Sequence, residues 1–204
     1  MRSLWTSAGV GLMVAMSALP AGADTGSPMA AVWKEQHMEF FFVGRTSRYS
    51  CDGLRDKVRA MLLELGARRD LRIVAFACED TDRHLARSTL NPGLSIVFSS
   101  PAFPDTSAKP LHSGDLAAID ARFEAFTISS DPFRNLGIGD CELVEEFAHQ
   151  ILPKLVTREL KQDISCVPYQ ESGNRYLVRG EIFRALPQGE RDAARHGAAE
   201  PRGH

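Results

Sequence analysis

After Cys51 the apolar side chains Leu54, Val58, Met61, Leu62 and Leu65 recur at steps of four, three, one and three, the spacing of one face of an α-helix. After Cys141 the same steps return in Val144, Ala148, Ile151, Leu152 and Leu155. Both stretches follow an aromatic-rich run and precede two further apolar segments, so the chain reads as two copies of a β-α-β-β pattern. In the first copy, residues 37–43 hold Phe40, Phe41, Phe42 and Val43 in one unbroken run, too short for a helix and expected to be an interior strand. Ser50 or Cys51 can cap a helix that runs to about Leu65 and is ended by Gly66. Residues 71–77 form a second strand closed by Cys78. In residues 94–99, Leu94, Ile96 and Phe98 alternate with Ser95, Val97 and Ser99, which marks a strand with one buried face.

The second copy places strands over residues 123–128, 160–165 and 176–185 and a helix over 142–156. Pro153 interrupts that helical pattern and predicts a kink or an early stop, because proline lacks the backbone donor. On the last strand Val178 and Ile182 alternate with Arg179 and Glu181. Pro101, Pro104 and Pro110 among small polar residues give 99–114 the composition of a linker, and 116–121 is a candidate short helix. The predicted fold is α+β, with duplicated β-α-β-β modules over residues 24–100 and 118–186 and a linker over 101–117. The modules form a mixed sheet of about six strands with two helices on one face, assuming right-handed crossovers. Whether both modules share that sheet or stand as two small domains is left open by the pattern.

The cysteines sharpen this picture. There are four, an even number, and each copy has one at the start of its helix and one at the end of the next strand. Residues 1–23 carry Arg2, an uncharged stretch from Ser3, Pro20 and then Ala21-Gly22-Ala23, the arrangement of a secretory signal peptide cleaved before Asp24. No cysteine follows that apolar run, which argues against a lipoprotein anchor. A periplasmic or secreted location is therefore expected, where disulfides persist. Geometry then selects the pairing. A helix of about 15 residues descends roughly 22 Å and a strand of about seven climbs roughly 23 Å, so both cysteines of a module return to one sheet edge. Cys51 with Cys78 and Cys141 with Cys166 are the expected disulfides, one stapling each module. Residues 187–204 carry almost no large apolar side chain and are expected to be a disordered tail.

An apolar share of 44% suffices for a packed core, and a formal net charge of −2 points neither to nucleic acid nor to an anionic membrane surface. No stable membrane insertion is expected once the signal is removed. Local motifs do not name a reaction. Asp24-Thr25-Gly26 matches the aspartic protease triplet but has no second copy, and Gly137-Ile138-Gly139 matches part of a dinucleotide fingerprint whose third glycine position holds Glu142. That carboxylate would repel phosphate. Glu79, Asp80 and Asp82 suit a hard cation yet lack the glycine and distal glutamate of a calcium loop. His149 lies two helical turns after Cys141, but a disulfide would consume the thiol nucleophile. The six histidines, with His196 and His204 in the tail, form no metal-binding pair, so neither a metal nor a cofactor is expected.

One constellation follows from the repeat. Arg45 and Arg48 precede the first helix, Arg134 precedes the second, and helix starts favour anions, so these arginines are a candidate anion-binding set. No catalytic residues are assigned. The chain is expected to be a secreted or periplasmic non-enzymatic protein that binds a protein or small-molecule partner. The alternatives are a secreted hydrolase with a site assembled from sequence-distant residues and an envelope-associated structural protein.

Overall fold

The computed structural model describes residues 26–77, 92–104, 118–130 and 136–187. The expected signal peptide, Cys78, the acidic residues 79–82, Arg134 and the tail from 188 lie outside them. Six strands and two helices follow in the order β1 (Met29–Phe41), α1 (Cys51–Glu64), β2 (Arg72–Phe76), β3 (Gly93–Ala102), β4 (Ala118–Ser129), α2 (Cys141–Gln150), β5 (Thr157–Ser165) and β6 (Arg175–Ala185). All six strands belong to one sheet, ordered β2-β3-β1-β4-β6-β5.

Every neighbouring pair in that sheet is antiparallel, which corrects the mixed sheet expected from β-α-β units. The reason lies in the third strand of each half. β3 inserts between β1 and β2, and β6 between β4 and β5. The first two strands of each half thus run in the same direction without touching, and both still climb to the same edge. Both halves pair their strands identically, third strand against first and second. They meet through β1 and β4 at only four residue pairs, Met29–Val32 with Ala118–Ala121.

One face of the sheet carries both helices. Phe40, Leu94, Ile96, Phe98, Phe126, Ile128, Val178 and Ile182, all even-numbered positions in register, join Leu54, Val58 and Leu62 of α1 and Leu143, Val144 and Phe147 of α2 in a single buried cluster. All ten helix-spacing positions named from the sequence are buried. The helix of the second half stops at Gln150 and continues as a 3-10 turn, Leu152–Lys154, the early stop that Pro153 predicts. At the end of α1, Gly66 adopts φ +86°. Its N–H bonds the Leu63 carbonyl while that of Ala67 reaches Leu62, a left-handed cap that glycine adopts without a Cβ penalty.

Among the described residues the opposite face carries no helix, and it holds a second, smaller apolar cluster of Ala31, Ile119, Ala121, Phe123 and Phe183, with Phe103 stacked on Phe183 at 4.8 Å between ring centroids. β1 and β4 therefore switch their buried side midway: odd positions are covered where the two strands meet, even positions under the helices. The candidate short helix over 116–121 is corrected by this cluster, since Ile119 and Ala121 point into it from β4 in strand alternation.

The helices also tie the halves together. Phe42 donates to the Pro92 carbonyl, so the polar groups of Phe41 point away from β3. Gln150 of α2 meets them, accepting from the Phe41 N–H at 3.0 Å and donating to its carbonyl at 2.7 Å. A side chain thereby makes the two bonds that a neighbouring strand would make. Gln36 of β1 donates to the Lys154 carbonyl at 2.6 Å. In the other direction, Arg184 of β6 donates to the Glu64 carbonyl at the end of α1.

Candidate functional site

Two places concentrate polar side chains: a buried junction at the helix starts, and a groove on the open face. The junction lies where the loop before α1 meets the start of α2. Glu142, in the first turn of α2, reaches into the loop before α1. Its carboxylate accepts from the N–H groups of Arg45 at 2.9 Å, Thr46 at 2.9 and 3.1 Å, and Ser47 at 3.2 Å. Successive main-chain donors in a concave turn make an anion site, and here a carboxylate of the same chain occupies it, only 6% exposed.

Asp140, immediately before α2, is equally enclosed. It accepts from Lys57 Nζ at 2.9 Å, from the Gly137 N–H at 2.6 Å and from the Tyr49 hydroxyl. The Tyr176 hydroxyl donates to the Gly137 carbonyl at 2.9 Å, and the Ser47 hydroxyl to that of Gly139. Gly137 and Gly139 thus belong to the turn that leads into α2. Close by, Cys141 and Cys166 form a disulfide with Cα atoms 5.6 Å apart, the pairing expected for the second module. Cys51 is disulfide-bonded, while its expected partner, Cys78, lies outside the described residues.

The loop before α1 has little room to change. A Cβ on Gly44 would lie 2.4 Å from the Ser47 carbonyl oxygen and 2.5 Å from the Phe42 ring, so only glycine lets the chain fold back tightly enough to aim three N–H groups at one carboxylate. Gly44→Ala is expected to cost roughly 1–3 kcal/mol through forced backbone displacement. Chemical denaturation would show it; a shift below the error of the measurement would mean that the loop relaxes freely.

Burial pushes the Tyr49 phenol far above its ordinary range, and its bond to Asp140, followed by that carboxylate's charge, pushes it further. Tyr176 is raised first by burial and then by the Asp140 charge. An unfolded chain releases these phenolic protons near pH 10 and the folded chain retains them, so the folded state binds more protons there. Stability is fully present below about pH 10 and falls as pH rises beyond it. Ultraviolet titration should show Tyr49 and Tyr176 ionising together with unfolding; ionisation at about pH 10 in a chain still folded by circular dichroism would contradict the buried junction.

Of the candidate anion-binding arginines, Arg45 contributes its main-chain N–H to Glu142, and Arg48 lies in the same loop with an interaction of its own. Arg134 is outside the described residues. What this loop holds is an internal carboxylate, gripped through its backbone.

The groove lies on the face of the first half that carries no helix among the described residues, lined by β1, β3 and the entry to β2, with a volume of about 330 Å³. Register places Arg72, Val97 and His37 in one row across β2, β3 and β1, with Ser99 and Glu35 in a neighbouring row. His37 Nε2 is 2.8 Å from Glu35 Oε1, and Arg68 forms a two-pronged pair with Asp70 at 2.6 and 2.8 Å. That bond holds the Asp70 carboxyl below its usual range. Arg72 is exposed on the same face, and among the described residues it makes no hydrogen bond or ion pair. The sequence gives little hint of this groove. Glu35 and His37 belong to the polar stretch Lys34 to His37 of β1, Arg72 opens β2, and only the strand register gathers them.

Among the described residues no three His, Cys, Asp or Glu side chains converge as a metal site requires, and no helix is long and apolar enough to cross a membrane. No protein-family model, curated protein or solved structure matches the chain.

Proposed function

We propose that this chain is a periplasmic or secreted, non-enzymatic binding module whose ligand occupies the open-face groove. The observation that carries this reading is the contrast between the two polar places. In the junction every oxygen of Asp140 and Glu142 accepts at least one hydrogen bond from the chain itself, so neither carboxylate is poised to exchange a proton with a substrate. The groove instead presents charged side chains on an antiparallel floor, with the exposed Arg72 guanidinium beside the Arg68–Asp70 pair. Rigid, preformed sites with few polar groups are those that hold small ligands.

The expected signal peptide and the Cys141–Cys166 disulfide support the location, and the nearly neutral charge balance argues for a small-molecule or protein partner over nucleic acid. The halves, with matching strand order and helix spacing, are read as products of a duplication. Native mass spectrometry of the oxidised chain, incubated with a small-molecule extract of its source cells, tests the binding reading. A bound species is expected that is absent from an Arg72→Ala, His37→Ala double variant of unchanged melting temperature. A species held equally by that variant would place the site elsewhere.

A further inference from the structure

We infer that the free edge of β2 pairs antiparallel with the same edge of a second copy of this chain, joining two sheets about a two-fold axis at Val74. Strand register fixes which main-chain groups are available. Phe42 donates to the Pro92 carbonyl, so the even positions of β3 bond to β1, while its odd positions face β2, as the Ser99 carbonyl shows by accepting from Arg68. Arg72, Val74 and Phe76 stand opposite Val97, Ser95 and Gly93 and use their polar groups there. The N–H and C=O groups of Ile73 and Ala75 therefore point out of the sheet edge, and among the described residues nothing bonds them. The chain closes this edge at both ends. Leu71 donates to the Arg68 carbonyl and accepts from Arg59 Nη1 at 3.2 Å, and Ala77 turns away at φ +55°.

The other sheet edge shows how this chain keeps an edge unpaired. β5 breaks its register between Arg158 and Lys161, holds Glu159 at φ +53° and carries Arg158, Glu159, Lys161 and Asp163; bulges and charges are the usual devices that blunt an edge. β2, with the sequence Arg-Ile-Val-Ala-Phe, has neither a bulge nor a charge beyond its first residue, and Val74 is 64% exposed. A two-fold axis at Val74 makes this edge complementary to itself. Ile73 stands opposite Ala75 of the second copy, and each such pair exchanges its N–H and C=O groups. The two Val74 side chains meet in the closer, non-hydrogen-bonded arrangement, and Arg72 lies opposite the Phe76 ring of the second copy, a cation against an aromatic face. Parallel pairing would instead bring the two arginines together. With five residues a side, against roughly 20–30 in a standard interface, the dimer is weak and concentration-dependent.

Sedimentation velocity of the full oxidised chain over a concentration series tests this. Monomers should pass reversibly into dimers as concentration rises. Val74→Lys and Val74→Asp should each raise the dissociation constant by about tenfold or more, by setting like charges face to face, and an equimolar mixture of the two variants should dimerise again. Ala75→Pro should also weaken the dimer, because it removes an outward N–H and spares the ladder to β3; the charge variants keep the test decisive should proline disturb the strand. A chain that stays monomeric up to about 1 mM would reject the inference. Dimers that neither charge variant weakens would reject it too, and charge variants that fail to restore each other would remove the axis from Val74.

Discussion

Glu142→Ala should destabilise the protein by roughly 3 kcal/mol or more, since removing one acceptor orphans the Arg45, Thr46 and Ser47 N–H groups, and each unsatisfied buried donor costs about 1–3 kcal/mol. Water entering the loop offsets part of this. The charge at the start of α2 is lost as well, a smaller effect. Urea denaturation of the oxidised protein measures the change. Glu142→Gln should fall between wild type and alanine, because its carbonyl oxygen still accepts while its amide presents donors to donors. A loss under about 1 kcal/mol for the alanine variant would mean that solvent already serves this loop.

The second large effect concerns the Cys141–Cys166 disulfide. Replacing both residues with alanine should cost roughly 2–5 kcal/mol, the usual range for removing a native disulfide from a small domain. It removes a constraint on the unfolded chain and loosens the segment after β5 that packs on the loop before α1, where the Tyr169 N–H donates to Thr46 Oγ1 at 2.8 Å. Peptide mapping without reduction should recover the 141–166 link. Recovery of a Cys51–Cys141 peptide would contradict the structure directly.

Much of the fold was legible because burial follows periodicity. The helix-spaced positions from Leu54 to Leu65 and from Val144 to Leu155 are core residues, although Leu65 follows α1 and Ile151, Leu152 and Leu155 follow α2, and the alternation of Leu94, Ile96 and Phe98 marks the covered side of β3. The strand ends were harder to read. β1 begins at Met29 rather than near His37, because its first half buries Ala31 on the opposite side from Phe40, and a strand that changes its covered face midway has no single apolar phase. Phe41 shows the converse: within a run of three phenylalanines it faces outward. Order within the sheet depends on which strand inserts between two others, a choice made by long-range pairing that no local pattern records.

The polar sites were invisible for the same reason. Glu142 could be read as a residue that repels phosphate at a helix start, but the loop whose amides it satisfies lies far away in sequence. Arg45 and Arg48 drew notice through their charge, whereas the main chain of that loop makes the contact. Arg72 and His37 share a row only once β3 lies between their strands.

The narrow seam between the halves has a consequence for a nicked chain. Four residue pairs join β1 to β4, yet each half supplies what the other lacks: Glu142 for the loop before α1, Asp140 for Lys57, Gln150 for the bare edge at Phe41, Arg184 for the end of α1. A single proteolytic cut between β3 and β4 would therefore leave two fragments that stay together as one particle and melt in one step. Separated by denaturant, neither would hold its structure alone, and mixing them should restore the whole, as in fragment complementation.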